Sequence, residues 1–251
     1  MTTTRRRRVL WSVLGVSALA AGIFAIWMPT PRPGAAAAEL PPLAAAEADA
    51  IIDGLGPRSA DRPVVGIIGI NDATGITDYL MPYGILKRSG VADVMLVATD
   101  PGPVKLFPAL TIQPHTTVAM FDAQHPDGAD YVIVPFMSRD DDPAVLSWIR
   151  DQANGGAIIV GVCAGAKVVG AAGLLDGRRA TTHWFFVEEL RKRHPTMRYV
   201  PDRRFVMDEG VATTTGITAS MPMALTLIEA IAGREKAEAV ARDLGLGAWD
   251  S

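Results

Sequence analysis

Four short apolar runs set the main constraint on this 251-residue chain. They are PVVGIIGI at 63–70, DVMLVA at 93–98, DYVIVP at 130–135 and AIIVGV at 157–162. Each is apolar almost continuously rather than at alternate positions. A strand of that kind must be covered on both faces, the condition met in parallel sheets flanked by helices. Helix-forming stretches separate or follow the runs. One covers 78–87, and its Pro82 has to lie in the first turn or kink the helix. Another covers 144–154, with Asp142 as N-cap, Pro143 at the first helical position and Gly155-Gly156 as the stop. Further helices are expected at 164–173, at 183–194 with Phe185, Phe186 and Leu190 on one side, and at 219–232 and 234–244. Residues 104–120 read as short strands and turns, and 204–208 and 211–214 as a hairpin around Glu209-Gly210. The alternation predicts an α/β fold with a parallel sheet. Ligands of such sheets bind beyond the carboxyl ends of the strands.

The N-terminus is different in kind. Arg5, Arg6, Arg7 and Arg8 precede VLWSVLGVSALAAGIFAIWM, twenty uncharged residues at 9–28. Twenty helical residues span about 30 Å, the thickness of a bilayer core. Positive charge before the run predicts that the N-terminus stays inside and the rest crosses. Either an uncleaved anchor or a cleaved signal fits. A signal's apolar region is usually shorter, roughly 7–15 residues, but Ala35 to Ala38 suit a small-residue cleavage rule. The arginine run also fits a loose twin-arginine export pattern. The expectation is a domain held outside the membrane by one pass, or secreted after cleavage. The formal net charge is −3, yet residues 1–38 hold five arginines and no acid. The remainder has 19 basic against 27 acidic residues, a net −8, which argues against nucleic acid as its partner.

The single cysteine, Cys163, rules out an internal disulfide and raises a chemical question. It lies in Gly161-Val162-Cys163-Ala164-Gly165, between a predicted strand and a predicted helix. That is a nucleophile elbow with sulfur in place of oxygen. The flanking Gly161 and Gly165 suit a sharp turn with no room for Cβ atoms. Free N–H groups at the helix start predict a lowered thiol pKa and a cradle for an oxyanion. The plain alternative is a buried inert cysteine, since free cysteine is among the most buried residue types. His115, His125 and His194 sit in polar or turn-like settings and read as solvated. No spacing among the histidines and Cys163 suggests a metal site, and no cofactor is expected.

The stretch VCAGAKVVGAAGLLDGRRATTHW at 162–184 resembles the PfpI/ThiJ family of the class I glutamine-amidotransferase-like superfamily. The resemblance is to the branch holding isocyanide hydratases and the ligand domains of AraC-type regulators, and GLLDGRRATTHW is its most specific part. It extends over about 63–244. It implies a flavodoxin-like parallel-sheet sandwich, here preceded by one transmembrane or signal helix. The resulting division is 1–28 for the basic and apolar segment, 29–62 for a Pro/Ala-rich linker with a short helix at 44–55, 63–245 for the domain and 246–251 for a tail. The resemblance also implies a carboxylate partner for the cysteine, matched by Asp78, which otherwise reads as a helix cap. His183 ends the specific string and is expected near the elbow, either orienting substrate or merely starting a helix. Trp184 reads as pocket wall or core. The N–H groups of Ala164 and Phe136 are expected to face a developing anion.

Three departures matter. The strand at 131–135 runs into Phe136-Met137 where the family has Gly-Gly. Pro222 stands where an Asp is common. Ala164 replaces the His of protease-like members, and the late His-x-Glu pair of glutaminases is missing. A peptidase or a true glutamine amidotransferase is therefore disfavoured. A DNA-binding regulator is disfavoured by the acidic domain and by a chain that stops at Ser251. The expected function is a cysteine-dependent hydrolase, hydratase or lyase acting on a small electrophile. The competing expectations are a small-molecule-binding or redox-sensing domain using Cys163, and a scaffold whose pocket Phe136-Met137 fills. A homodimer is expected from the family habit alone.

Overall fold

The computed structural model describes residues 44–58 and 62–246. The expected membrane or signal segment at 1–28 and most of the expected tail lie outside the described residues. In chain order the first elements are α1 (Ala45–Gly54), β1 (Val64–Gly69), β2 (Thr74–Gly75), α2 (Ile76–Ser89) and β3 (Asp93–Ala98). Then come β4 (Val104–Phe107), β5 (Leu110–Ile112), β6 (Thr116–Thr117), α3 (Val118–Gln124), β7 (Tyr131–Val134) and α4 (Pro143–Asn154). β8 (Ile158–Gly161), α5 (Ala166–Ala171), β9 (Arg179–Ala180), α6 (Val187–Arg193) and β10 (Arg198–Tyr199) follow. β11 (Phe205–Asp208), β12 (Val211–Thr214), α7 (Ser220–Ala232) and α8 (Arg234–Asp243) complete the described chain. Among the described residues no helix is long and apolar enough to cross a membrane.

Seven strands form one sheet in the order β11-β12-β8-β7-β1-β3-β6. All neighbours are parallel except β11 and β12, the expected hairpin. The continuous apolar runs are explained by burial on both faces. Tyr131 and Ile133 of β7 join Val160 of β8, Tyr79 and Leu86 of α2, and Leu225 and Ile228 of α7 in one cluster. Their immediate neighbours Val132, Val134 and Ile159 point the other way, to Phe121 of α3, Trp148 and Ile149 of α4, and Val169 of α5. Successive strand side chains face opposite sides, so a strand with no wet face has no polar positions. Tyr131 also donates its hydroxyl to the carbonyl of Leu55, which ties the end of α1 to the sheet.

Local chemistry accounts for several departures from the expected elements. α2 begins two residues before Asp78, and Pro82 lies well inside it. There the proline removes the N–H that would have met the Asp78 carbonyl, and its ring crowds that same carbonyl. The helix expected over 164–173 is instead one 3₁₀ turn, Cys163–Gly165, followed by the short α5. α3 was not expected; Thr117 starts it by accepting the Met120 N–H. A seven-residue helix is too short to show a periodic pattern. α4 matches expectation in detail, with the Asp142 carboxylate accepting the N–H groups of Ala144 and Val145. Replacing that cap, Asp142→Ala, is expected to cost about 1 kcal/mol. Urea unfolding will show a lower midpoint with an unchanged slope.

Candidate active site

The chain leaves β8 at Gly161, and Val162 is still extended. Cys163 then takes φ +58°, in the left-handed region. For a residue with a Cβ this costs roughly 1–2 kcal/mol, so the surroundings must impose it. Gly165 is part of the cause: a Cβ there would lie 2.0 Å from the Val134 carbonyl oxygen at the end of β7. No side chain fits against a backbone atom at that distance. At Gly161 a Cβ would meet Val169 Cγ2 at 3.1 Å and the Ala166 backbone at 3.2 Å. The spacing of the two glycines is thus a requirement of the turn. Two threonines complete it. Thr214 Oγ1, at the end of β12, accepts the Cys163 N–H at 3.1 Å, and Thr182 Oγ1 donates to the Cys163 carbonyl at 3.1 Å.

Asp78 arrives from the other side of the sheet centre. β2 is anchored to the loop after β7: the Gly75 N–H donates to the Phe136 carbonyl at 2.7 Å, and Thr74 bridges to Met137. Asp78 follows in the first turn of α2, where Gly75 and not Asp78 occupies the cap position. Its carboxylate therefore does not cap the helix. Oδ2 accepts the Phe136 N–H at 3.3 Å. Oδ1 faces the hydroxyls of Thr77 at 3.4 Å and Ser220 at 3.5 Å. The Cys163 thiol lies beside the same carboxyl group, and the two interact electrostatically. Asp78 is 2% exposed and Cys163 5%, so the pair meets out of water.

Burial decides where the charge sits. The Asp78 carboxyl is pushed up to about 6, mainly by desolvation, against the pull of the Phe136 N–H and the Thr77, Ser220 and Cys163 donors. The Cys163 thiol is pushed above its ordinary value by desolvation and then by the Asp78 charge, with the Ala164 N–H pulling the other way. Both shifts have the same first cause, so burial disfavours a second negative charge on the pair. This direction runs against the lowered thiol pKa expected from the sequence. The helix behind the sulfur is a single tight turn, and the buried anion beside it outweighs one N–H.

The other candidate residues divide. The Ala164 N–H faces the sulfur, whereas the Phe136 N–H is engaged by Asp78. His183 caps the 3₁₀ turn Trp184–Phe186, its Nδ1 accepting the Phe185 N–H at 3.2 Å. Burial holds its imidazole below the usual value. Among the described residues no hydrogen bond joins His183 to Cys163 or Asp78. Its ring lies against Trp184 and Phe186, and Phe186 stacks on Phe136 with ring centroids 6.2 Å apart. Trp184 is 39% exposed and is not core. Nor are the remaining histidines merely solvated. His115 Nδ1 accepts the Leu96 N–H at 2.9 Å, His125 packs on Phe121, and His194 lies against Gly170 of α5. Thr77, Thr182, Thr214 and Ser220 were not singled out from the sequence. Thr182 carried a signal as part of the specific string, and Thr77 and Ser220 lie in stretches that match the family pattern without having been given a role.

Comparison with known proteins places this arrangement. The DJ-1/PfpI family profile matches residues 67–230, which include both Asp78 and Cys163. The chain belongs to the DJ-1/PfpI family. An isonitrile hydratase of Pseudomonas putida is 36% identical over 168 residues, covering 65% of this chain and 70% of that protein. Protein dj-1beta of Drosophila melanogaster is 25% identical over 172 residues, covering 66% of this chain and 89% of that protein. The transcriptional regulator CdhR of Pseudomonas aeruginosa is 35% identical over 105 residues, but the match spans only 31% of the regulator. Among solved structures, Drosophila DJ-1beta superimposes with a TM-score of 0.65 at 23% identity, covering 74% of this chain and 99% of that one. That likeness confirms an α/β fold with a largely parallel central sheet.

The Asp78 environment has a measurable consequence. The folded carboxyl binds its proton more tightly than the unfolded one, whose value is 3.8. The folded state therefore holds more protons between the two values, and stability falls as pH rises from about 3.8 to about 6. Above that range the penalty is constant, on the order of 3 kcal/mol. Asp78→Asn is expected to lack this decline and to match or exceed the parent protein in stability at neutral pH. Urea unfolding near pH 4 and pH 7 will show it.

Proposed function

We propose that the protein is a cysteine-dependent hydrolase, hydratase or lyase acting on a small, uncharged electrophile. The observation that carries this is a buried thiol, held at φ +58° beside a buried carboxylate of raised pKa. A carboxylate in that state is a general base poised near neutral pH. As Cys163 Sγ forms a bond to the electrophilic carbon, the thiol proton passes to Asp78. Asp78 then returns it to the substrate atom that gained the electron pair. The Ala164 N–H stabilises charge developing beside the sulfur. Water then completes the reaction and frees the thiol. The carboxylate next to the nucleophile repels anions, and the Phe136–Phe186 stack offers apolar surface for a substituent. An isonitrile, the compound named for the Pseudomonas putida relative, has this character. His183 serves to shape the site through its turn, not to move protons.

The test is turnover of a panel of alkyl and aryl isonitriles, aldehydes and amides. Cys163→Ser is expected to abolish turnover, and Asp78→Asn to lower it by about 10²-fold or more. In the parent protein kcat/KM should rise with pH through an apparent value of about 6, because Asp78 must be ionised to accept the proton. A second reading is a domain that binds a ligand or senses oxidants through Cys163 without turnover. The partial match to a transcriptional regulator favours it. Ligand-linked stabilisation with no product would identify that case.

We further propose that the domain over 63–245 works outside the cytoplasm, as an anchored or secreted protein and as a homodimer. Arg5 to Arg8 followed by the apolar residues 9–28 support export, and the family habit supports the dimer. An alkaline phosphatase fused after residue 43 is expected to be active in bacteria, and replacing the four arginines by acids to abolish that activity.

A further inference from the structure

The specific string ATTHW at 180–184 has a place in the fold that the chemistry of Cys163 and Asp78 does not by itself explain. We infer that Thr182 and Thr214 are positioning residues that hold Cys163 in its left-handed conformation and so keep its sulfur on Asp78. This rests on the reading of Cys163 as the nucleophile.

Two peptide groups flank the Cys163 Cα. One carries the Cys163 N–H, the other its carbonyl, and their orientations about the Cα are φ and ψ. Thr214 Oγ1 takes the N–H and Thr182 Oγ1 takes the carbonyl, each at 3.1 Å. The two threonines come from different elements, the end of β12 and the segment after β9. Both are fully buried, so water does not compete for the bonds. The segments are themselves joined, because Thr213 Oγ1 accepts the Thr181 N–H at 2.8 Å. β12 in turn is registered on β8, with Thr213 opposite Gly161. The frame is thus built on the strand that leads into the elbow. A left-handed residue with a Cβ persists only where its surroundings over-determine it. Here the two bonds do so on either side of a single residue.

The test uses Thr182→Val and Thr214→Val, which keep shape and remove the hydroxyl, with Thr182→Ser and Thr214→Ser as rescues. Crystal structures read the Cys163 backbone. Iodoacetamide alkylation, with and without Asp78→Asn, reads the coupling of the pair. In the valine variants Cys163 is expected to leave the left-handed region, and alkylation to lose its response to Asp78→Asn. Turnover should fall by about 10²-fold with KM held, and the serine variants should restore all three. Folded valine variants that keep φ near +58° and the full response to Asp78→Asn would overturn the inference, as would serine variants that restore nothing. If a valine variant does not fold, the same change is made in Cys163→Gly, because glycine adopts positive φ freely. Recovery of folding there supports the clamp; continued failure overturns it by showing a general role in the core. A parent protein that turns over nothing, while the valine variants still relax at Cys163, would refute the catalytic reading and leave the clamp standing.

Discussion

The contact on which the site depends is the approach of the Gly165 backbone to the carbonyl of Val134. It brings the turn after β8 directly over the end of β7. The loop after β7 is thereby next to Cys163, and that loop carries Phe136, whose N–H holds Asp78. The same loop is hydrogen-bonded to β2, which leads into α2 and delivers Asp78. Three connections at the carboxyl ends of neighbouring parallel strands therefore converge on one sulfur atom. A larger residue at 165 would separate them together, because the clash is with backbone and cannot be relieved by a rotamer.

Convergence alone does not make the thiol reactive. With both groups withdrawn from water, a second negative charge is disfavoured, and hydrogen-bond donors favour the charge on the group they reach. Those donors surround Asp78. On the proposed reading the carboxylate takes the thiol proton as the sulfur attacks, so attack and proton transfer become one event. Stability is given up for this: a carboxylate whose pKa is raised by burial destabilises the fold at neutral pH. Backbone strain at Cys163 is a second local cost, carried by the threonine frame and the glycines.

Much of the fold was legible in sequence because burial on both faces leaves a plain mark. β1, β3, β7 and β8 are runs with no polar face, and α4 carries its cap, its proline and its stop in one stretch. Short elements such as α3, β9 and β10 left no such mark, since two to seven residues are fewer than a pattern needs. In the site, Cys163 was legible from its glycines. Asp78 was legible only through family resemblance, because an aspartate near a helix start is ordinarily a cap. Thr214 was not legible at all. A threonine at a strand end has common structural uses, and nothing local marks it as a neighbour of a cysteine 51 positions away.

By itself the sequence determined that a largely parallel sheet must form, where its strands run and where the chain must turn sharply at a cysteine. These follow from hydrophobic pattern and from the volume of single residues, which are properties of neighbours along the chain. The tertiary structure alone decided that the thiol and the Asp78 carboxyl meet out of water, that His183 caps a turn without a hydrogen bond to either among the described residues, and that burial raises the proton affinity of both. The physical reason is that proton affinity depends on burial and on donors within a few ångströms. At this site those donors come from Thr77, Phe136, Ser220 and Ala164, four separate parts of the chain that only the folded sheet brings together.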